Sequence, residues 1–381
     1  MSNLTRREAL AAFAGAAWAA DAAPSIELIR KRLPKDTPAG VAAILADTLE
    51  SAPGSHNTDW FGTLLIKGLL EWAERGISEG GEFAKRWLDF HLASKSLSPY
   101  SGSRSRVVNA GGVTITTYCG QFGLAFPCWE LFRQFGDERA RRISLDVARI
   151  ILHETSRNRF GMVNHADNDD FAIPDTCYFV VTPLMIAHAV DRANGAAYRD
   201  QALYQLRKYT DIFLDRSKGL AKTILLKDGT GATYWTRATG WLLWAMTGVL
   251  RHLPPAGPDF EGIVRDLRLL ADGIARAQNS SGALHLYVNE PASPLETTGT
   301  AMCAMGLHES IRRGWLPASF APVSRKAWEY VKTKITPDGR IVGAYTGWAV
   351  PAEQRVIEMD MVPMGWIPGF ILSTAAEMSG G

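Results

Sequence analysis

The chain has 381 residues, 46% hydrophobic and 21% charged, the composition of a globular protein able to bury a large core. Its 41 basic and 39 acidic residues leave a formal charge of +2 with no block of like sign, which argues against nucleic acid or an anionic membrane surface as partner. The four cysteines, Cys119, Cys128, Cys177 and Cys303, form no CxxC pair, so a zinc knuckle is not expected and they read as buried small hydrophobes or free thiols.

In chain order, Thr5-Arg6-Arg7-Glu8 precedes an Ala-rich run from Ala9 to Ala20. Twin arginines before a mildly apolar stretch fit a bacterial twin-arginine export signal over residues 1–23, which sends the folded protein to the periplasm or beyond. The run is too short to span a bilayer, so no stable membrane insertion of the mature chain is expected. Residues 24–37 read as a linker and 38–381 as one catalytic domain. There the apolar period is helical nearly throughout, predicting helices over 38–51, 60–75, 80–94, 118–135, 138–154, 177–192, 197–214, 239–252, 260–278, 298–313, 321–334 and 362–378. Short β pairs are expected within 105–116 and 340–350. Gly136-Asp137 is a tight turn, whereas 155–176, 215–238 and 279–297 are long. Twelve helices with alternating short and long connections predict an all-α fold, six hairpins closed into an (α/α)6 barrel with the long loops at one mouth. The absence of a fixed-period repeat argues against an open solenoid.

Four segments carry candidate chemistry. Tyr234-Trp235-Thr236-Arg237-Ala238-Thr239-Gly240-Trp241 offers two indoles to stack on a sugar ring and a guanidinium to grip a carboxylate; both Trp residues can equally be core, with Arg237 on a neighbouring carbonyl. In the loop from Asn164 to Asp175, His165 and four aspartates precede a helix, and Asp175 is either a cap or a group turned into the cavity. Asp167, Asn168 and Asp169 resemble half a calcium loop, but the glycine and distal glutamate are missing, so neither metal nor cofactor is expected. Glu296 opens a helix rich in small residues, with Thr297 or Thr298 as cap, and Asp360 lies at a third loop-to-helix junction. No Gly-rich phosphate loop, GxSxG elbow or HExxH occurs.

These pieces, in order through most of residues 40–378, resemble the unsaturated glucuronyl and rhamnogalacturonyl hydrolases of glycoside hydrolase families 88 and 105. Ile173-Pro174-Asp175-Thr176-Cys177-Tyr178-Phe179 resembles the family's Trp-Val-Asp segment. Gly219-Leu220 followed by Trp235-x-Arg237-x-x-Gly240-Trp241 resembles its Trp-Ala-Arg-Gly-x-Gly-Trp motif. Gln278 to Gly282 with Glu296-Thr297-Thr298-Gly299-Thr300-Ala301-Met302 is similar to its Glu-Thr-Ser segment, and Asp360 with Gly365 and Phe370 to its closing stretch.

The resemblance implies an (α/α)6 fold and an acidic oligosaccharide substrate whose terminal uronic acid carries a C4–C5 double bond. It implies Asp175 as acid and base for hydration of that bond, Arg237 on the uronate carboxylate and Trp235 or Trp241 stacked on the ring. Three departures stand out: Thr117 takes the place of a second aspartate, Lys222 lies where a histidine is usual, and Gly282-Ala283-Leu284 replaces Gly-Leu-Trp. Lys222 then supplies the lost positive charge, and His165 takes over proton handling. Two rival expectations remain. One is an exo-acting hydrolase of saturated glucuronides pairing Asp175 with Asp360 or Glu296, and the other a noncatalytic uronate-binding toroid.

Overall fold

The computed structural model describes residues 23–94, 105–167, 171–226, 229–231, 233–345 and 365–379. Thirteen helices appear among them: α1 Ile26–Arg32, α2 Ala39–Glu50, α3 Trp60–Ala73, α4 Glu79–Ser94, α5 Ala125–Phe135, α6 Glu138–His153, α7 Pro174–Val190, α8 Gly195–Phe213, α9 Thr236–Leu250, α10 Pro258–Ala277, α11 Thr297–Arg312, α12 Ala321–Lys332 and α13 Trp366–Met378. Each of the twelve expected helices has its counterpart. The segment 24–37, expected as a linker, instead holds α1, capped by the Ser25 hydroxyl, with Ile29 wholly buried and Arg32 forked onto Glu79 at 3.0 Å. The helix expected from residue 118 opens as a 3-10 turn, Cys119–Leu124, before α5. Pro127 explains the delay: it has no N–H to donate, so it sits in the first turn of the α-helix. Pro174 is likewise the first residue of α7.

The odd-numbered helices from α3 to α13 form the inner ring and the even-numbered ones from α2 to α12 cover them. Burial follows that division. Every residue of α9 is buried, whereas outer α6 buries Ala140, Ile143, Ser144, Val147, Ala148, Ile150 and Ile151 along one stripe. Inner helices run parallel, as their contacts advance together: Gly299 meets Thr236, Gly240 meets Met302 and Gly306 meets Leu243 between α9 and α11. Between α3 and α13, Gly365 meets Phe61, Gly369 meets Leu64 and Gly68 meets Leu372. The latter pair closes the ring. The Trp72 indole donates to the Leu372 carbonyl at 3.0 Å and Arg75 Nε to the Ala376 carbonyl at 2.8 Å. All six inner helices therefore begin at one mouth and end at the other.

The sheets are four small antiparallel pairs: β1 Val107–Ala110 with β2 Val113–Thr116, β3 Leu214–Asp215 with β4 Leu220–Ala221, β5 Leu225–Leu226 with β6 Gly229–Thr230, and β7 Leu284–His285 with β8 Leu295–Glu296. The first is the expected pair within 105–116. Over the described part of 340–350 only an isolated bridge forms, Ile341 to Ile335. All four cysteines are buried and none forms a disulfide among the described residues. No described helix is long and apolar enough to cross a membrane.

Candidate active site

At the N-terminal mouth the loops aim a few side chains at one another. Ala172 pairs with Leu225 through hydrogen bonds of 3.0 and 2.9 Å, and α7 starts two residues later, so Asp175 falls in its first turn. It is not the cap residue; Ile173 holds that position without a side-chain bond. The loop before it is folded back by Asn164 on Ser156 at 2.9 Å and by the Cys119 amide on the His165 carbonyl at 2.9 Å. The His165 ring stands between Tyr118 and Phe171. Its Nδ1 lies 3.0 Å from Thr176 Oγ1, 3.2 Å from Cys119 Sγ and 4.0 Å from Asp175 Oδ1.

The Asp175 side chain keeps 22% exposure in this concave setting. Burial pushes its pKa up to about 7, against the pull of the Thr176 amide, which donates to Oδ1 at 2.8 Å, and of the nearby Arg237 charge. A carboxyl that shares its proton near neutrality can act both as acid and as base. Among the described aspartates of the preceding loop, Asp167 is not among the causes of that shift. Asp167 binds Thr117 and Arg106, and Asp169 and Asp170, with Asn168, lie outside the described residues.

Arg237 sits one residue into α9, whose start is tied down by the Thr236 amide on the Leu286 carbonyl at 3.0 Å and the Thr236 hydroxyl on the His285 carbonyl. Its guanidinium is held between two indoles, 4.1 Å from the Trp235 ring centre and 4.9 Å from that of Trp366. Trp366 in turn stacks on Trp60 at 5.3 Å. Burial lowers the Arg237 pKa to about 10 although Glu296 and Asp175 favour its charge. Nη1 donates to the Tyr345 carbonyl at 2.6 Å, Thr298 Oγ1 at 3.2 Å and Glu296 Oε1 at 3.4 Å. Glu296 is the N-cap of α11, accepting from the amides of Thr298 and Gly299, and is wholly buried.

The structure thus brings Asp175, His165, Trp235, Arg237 and Glu296 together at one mouth, and revises several expected roles. Trp241, expected to stack on a sugar, is 2% exposed and packs among Tyr178, Phe179, Trp244 and Phe370 in the layer beneath the site. One turn further into α9 than Arg237, it faces neighbouring helices rather than the mouth. Arg237, expected to grip the substrate, is 3% exposed and commits Nη1 to the protein. Glu296 is a cap and counter-ion, with no exposed oxygen to take part in a two-carboxylate pair. Thr117 is buried and donates to Asp167 at 2.6 Å, so a carboxylate remains beside the position where the second acid was lost. Burial tends to raise the Asp167 pKa, but the Thr117, Arg106 amide and Arg106 side-chain contacts outweigh it and keep that group ionised. Lys222 reaches Thr230 at 3.1 Å, on the β5–β6 hairpin. Asp360 lies outside the described residues.

Sequence reasoning missed Trp60 and Trp366, which continue the aromatic wall, and Cys119 and Thr176, which hold His165. A signal existed: three of the six inner helices begin at or just after a tryptophan, Trp60, Trp235 and Trp366.

The family model for Glycosyl Hydrolase Family 88 matches residues 43–379. The chain belongs to that family. It is therefore a glycoside hydrolase, as the order of motifs implied. It is 25% identical over 337 residues to the unsaturated rhamnogalacturonyl hydrolase YesR of Bacillus subtilis (strain 168), covering 84% of this chain and 89% of that protein. Two solved structures agree on the fold. A possible GH105 member from Salmonella enterica superposes with a TM-score of 0.74 at 16% identity over 99% of both chains. The unsaturated glucuronyl hydrolase of Bacillus sp. GL1 superposes with a TM-score of 0.62 at 15% identity, covering 89% of this chain and 94% of that one. With these neighbours the closed six-hairpin toroid of this glycoside hydrolase stands as the sequence implied.

Proposed function

We propose that this glycoside hydrolase removes a terminal 4,5-unsaturated uronic acid from lyase-generated acidic oligosaccharides, with Asp175 as acid and then base. Protonated Asp175 delivers its proton to C4, and the π electrons of the C4–C5 bond form the new C–H bond. Positive charge then develops at C5 and on the ring oxygen. The Asp175 carboxylate takes a proton from a water whose oxygen attacks C5. The resulting hemiketal opens, the ring fragment rearranges and the remaining sugar departs. One carboxyl suffices because it is regenerated within the cycle. The observation that carries the reading is the place of the Asp175 carboxyl, in the first turn of α7 with 22% of its side chain exposed and His165 4.0 Å away, where burial raises its pKa to about 7. His165, 4.0 Å from Asp175, orients that carboxyl and the incoming water. Arg237 contributes from between the two indoles, as a fixed positive charge that favours the carboxylate stage of the cycle and the anionic substrate.

The full burial and capping role of Glu296 remove it as the second free carboxyl that the rival cleavage of saturated glucuronides needs. Unsaturated glucuronyl and galacturonyl disaccharides, incubated with the enzyme, test the proposal through the conjugated enol absorbance. Its loss with wild type and persistence with Asp175→Asn is the expected result. Release of saturated glucuronic acid with unchanged absorbance establishes the rival, and binding without turnover the noncatalytic reading.

The proposal extends to location. Residues 1–23, of which only Ala23 lies among the described residues, act as a twin-arginine signal that delivers the folded enzyme to the periplasm or the medium, where lyase products arise. Replacing Arg6 and Arg7 by lysine should leave the enzyme in the cytoplasm by fractionation; unchanged export refutes this reading.

A further inference from the structure

The candidate active site uses one end of the ring. At the other, the C-terminal turns of the inner helices enclose a second cavity of about 530 Å3, the size of a small-molecule site. Phe126 and Tyr178 of the aromatic layer separate it from the mouth above. Its wall is charged, and the charges are paired in a telling way. Lys67, with 8% of its side chain exposed, lies 2.5 Å from Glu71 Oε1 and 3.3 Å from Ser373 Oγ. Glu309, 3% exposed, accepts from Arg251 Nε and Nη2 at 2.6 and 2.5 Å and from Arg313 Nε at 2.9 Å. These pairs leave groups over. No described residue accepts from Arg251 Nη1. Arg75 gives Nε to the Ala376 carbonyl, and no described carboxylate lies within ion-pair distance of it. On the acceptor side, Glu71 Oε2 is buried with no partner among the described residues.

Leaving Glu71 Oε2 buried without a partner costs about 1–3 kcal/mol, which a donor bound in the cavity would recover, while Arg75 is exposed with N–H groups to spare. Here surplus guanidinium N–H groups and one carboxylate oxygen line the same cavity. We propose that this cavity is a second binding site, for a small hydroxylated solute bearing a carboxylate or phosphate. Arg251 Nη1 and Arg75 hold the oxyanion, and Glu71 Oε2 accepts from a hydroxyl. The site is independent of the chemistry assigned to Asp175 and lies on the far side of the aromatic layer.

The test uses the full chain carrying Asp175→Asn, to prevent turnover, with calorimetric titration of glucuronate, inorganic phosphate and neutral glucose. The expected result is saturable binding of one or both anions, weakened at least tenfold by Arg251→Lys and by Arg75→Ala, with glucose not bound. Phosphate alone identifies a phosphorylated solute, and glucuronate a sugar acid. Arg251→Lys keeps a cation against Glu309, and Arg75 lies outside the buried pairs, so a folding defect in one variant leaves the other to decide. Both substitutions in the wild-type background should leave hydrolysis unchanged. Failure of both anions to saturate, or binding indifferent to both variants, overturns the proposal.

Discussion

At the scale of single residues, Asp175 holds a balance between burial, which favours its proton, and the Thr176 amide and Arg237 charge, which oppose it. The proposed cycle starts from the protonated acid, so kcat/KM should be level below about pH 7 and fall about tenfold per pH unit above it; a profile flat to pH 9 excludes the assignment. Asp175→Asn should cost at least about 1,000-fold in kcat. It should also stabilise the fold. The folded pKa lies above the unfolded one, so between pH 4 and 7 the folded state binds more protons and loses stability as pH rises. At pH 8 the neutral amide should therefore gain about 2–4 kcal/mol, read as a raised melting temperature, with little gain at pH 4. Asp175 was legible from its place after Pro174, before a helix.

At the scale of elements, the start of α11 is the part on which the site leans. Glu296 caps that helix and also neutralises Arg237, so Glu296→Gln should cost about 3–5 kcal/mol by leaving a buried cation without its counter-ion. Denaturant unfolding checks this, and a change under 1 kcal/mol denies the pairing its importance. Gly299 allows the close approach of α9. A Cβ there would lie 2.4 Å from Thr236 Cγ2 and 2.9 Å from the Arg237 amide. Gly299→Ala should push the Arg237 segment away, destabilise by about 1–3 kcal/mol and lower activity, while Gly314→Ala, where nothing lies within 4 Å, alters activity little. The helix itself could be read from sequence, because a 3.6-residue period survives in any context. The pairing of Glu296 with Arg237 could not, since 59 residues separate them.

At the scale of the whole molecule, ring closure depends on α13 meeting α3, the last helix and an early one. Trp72 and Arg75 on one side and Leu372 and Ala376 on the other form the seam. Deleting residues 366–381 exposes the apolar faces of α3 and α11 and removes Trp366 from the Arg237 sandwich. The truncated chain should lose its cooperative thermal transition and all hydrolase activity; retention of a sharp transition refutes the closed-ring account.

The sequence by itself determined the helices, their alternation into hairpins, the family motifs and the acid at position 175, because these rest on local periodicity, capping and residue order. Only the tertiary structure decided which side chains face the mouth. Trp235 and Trp241 lie six positions apart and are both buried, at 5% and 2% exposure; the first packs against the Arg237 guanidinium at the start of α9, the second among Tyr178, Phe179 and Phe370 beneath it. Arg237 was drawn off the substrate by partners from α11 and the loop at Tyr345, contacts that no local rule encodes. Exposure is set by what packs against a helix from elsewhere in the chain.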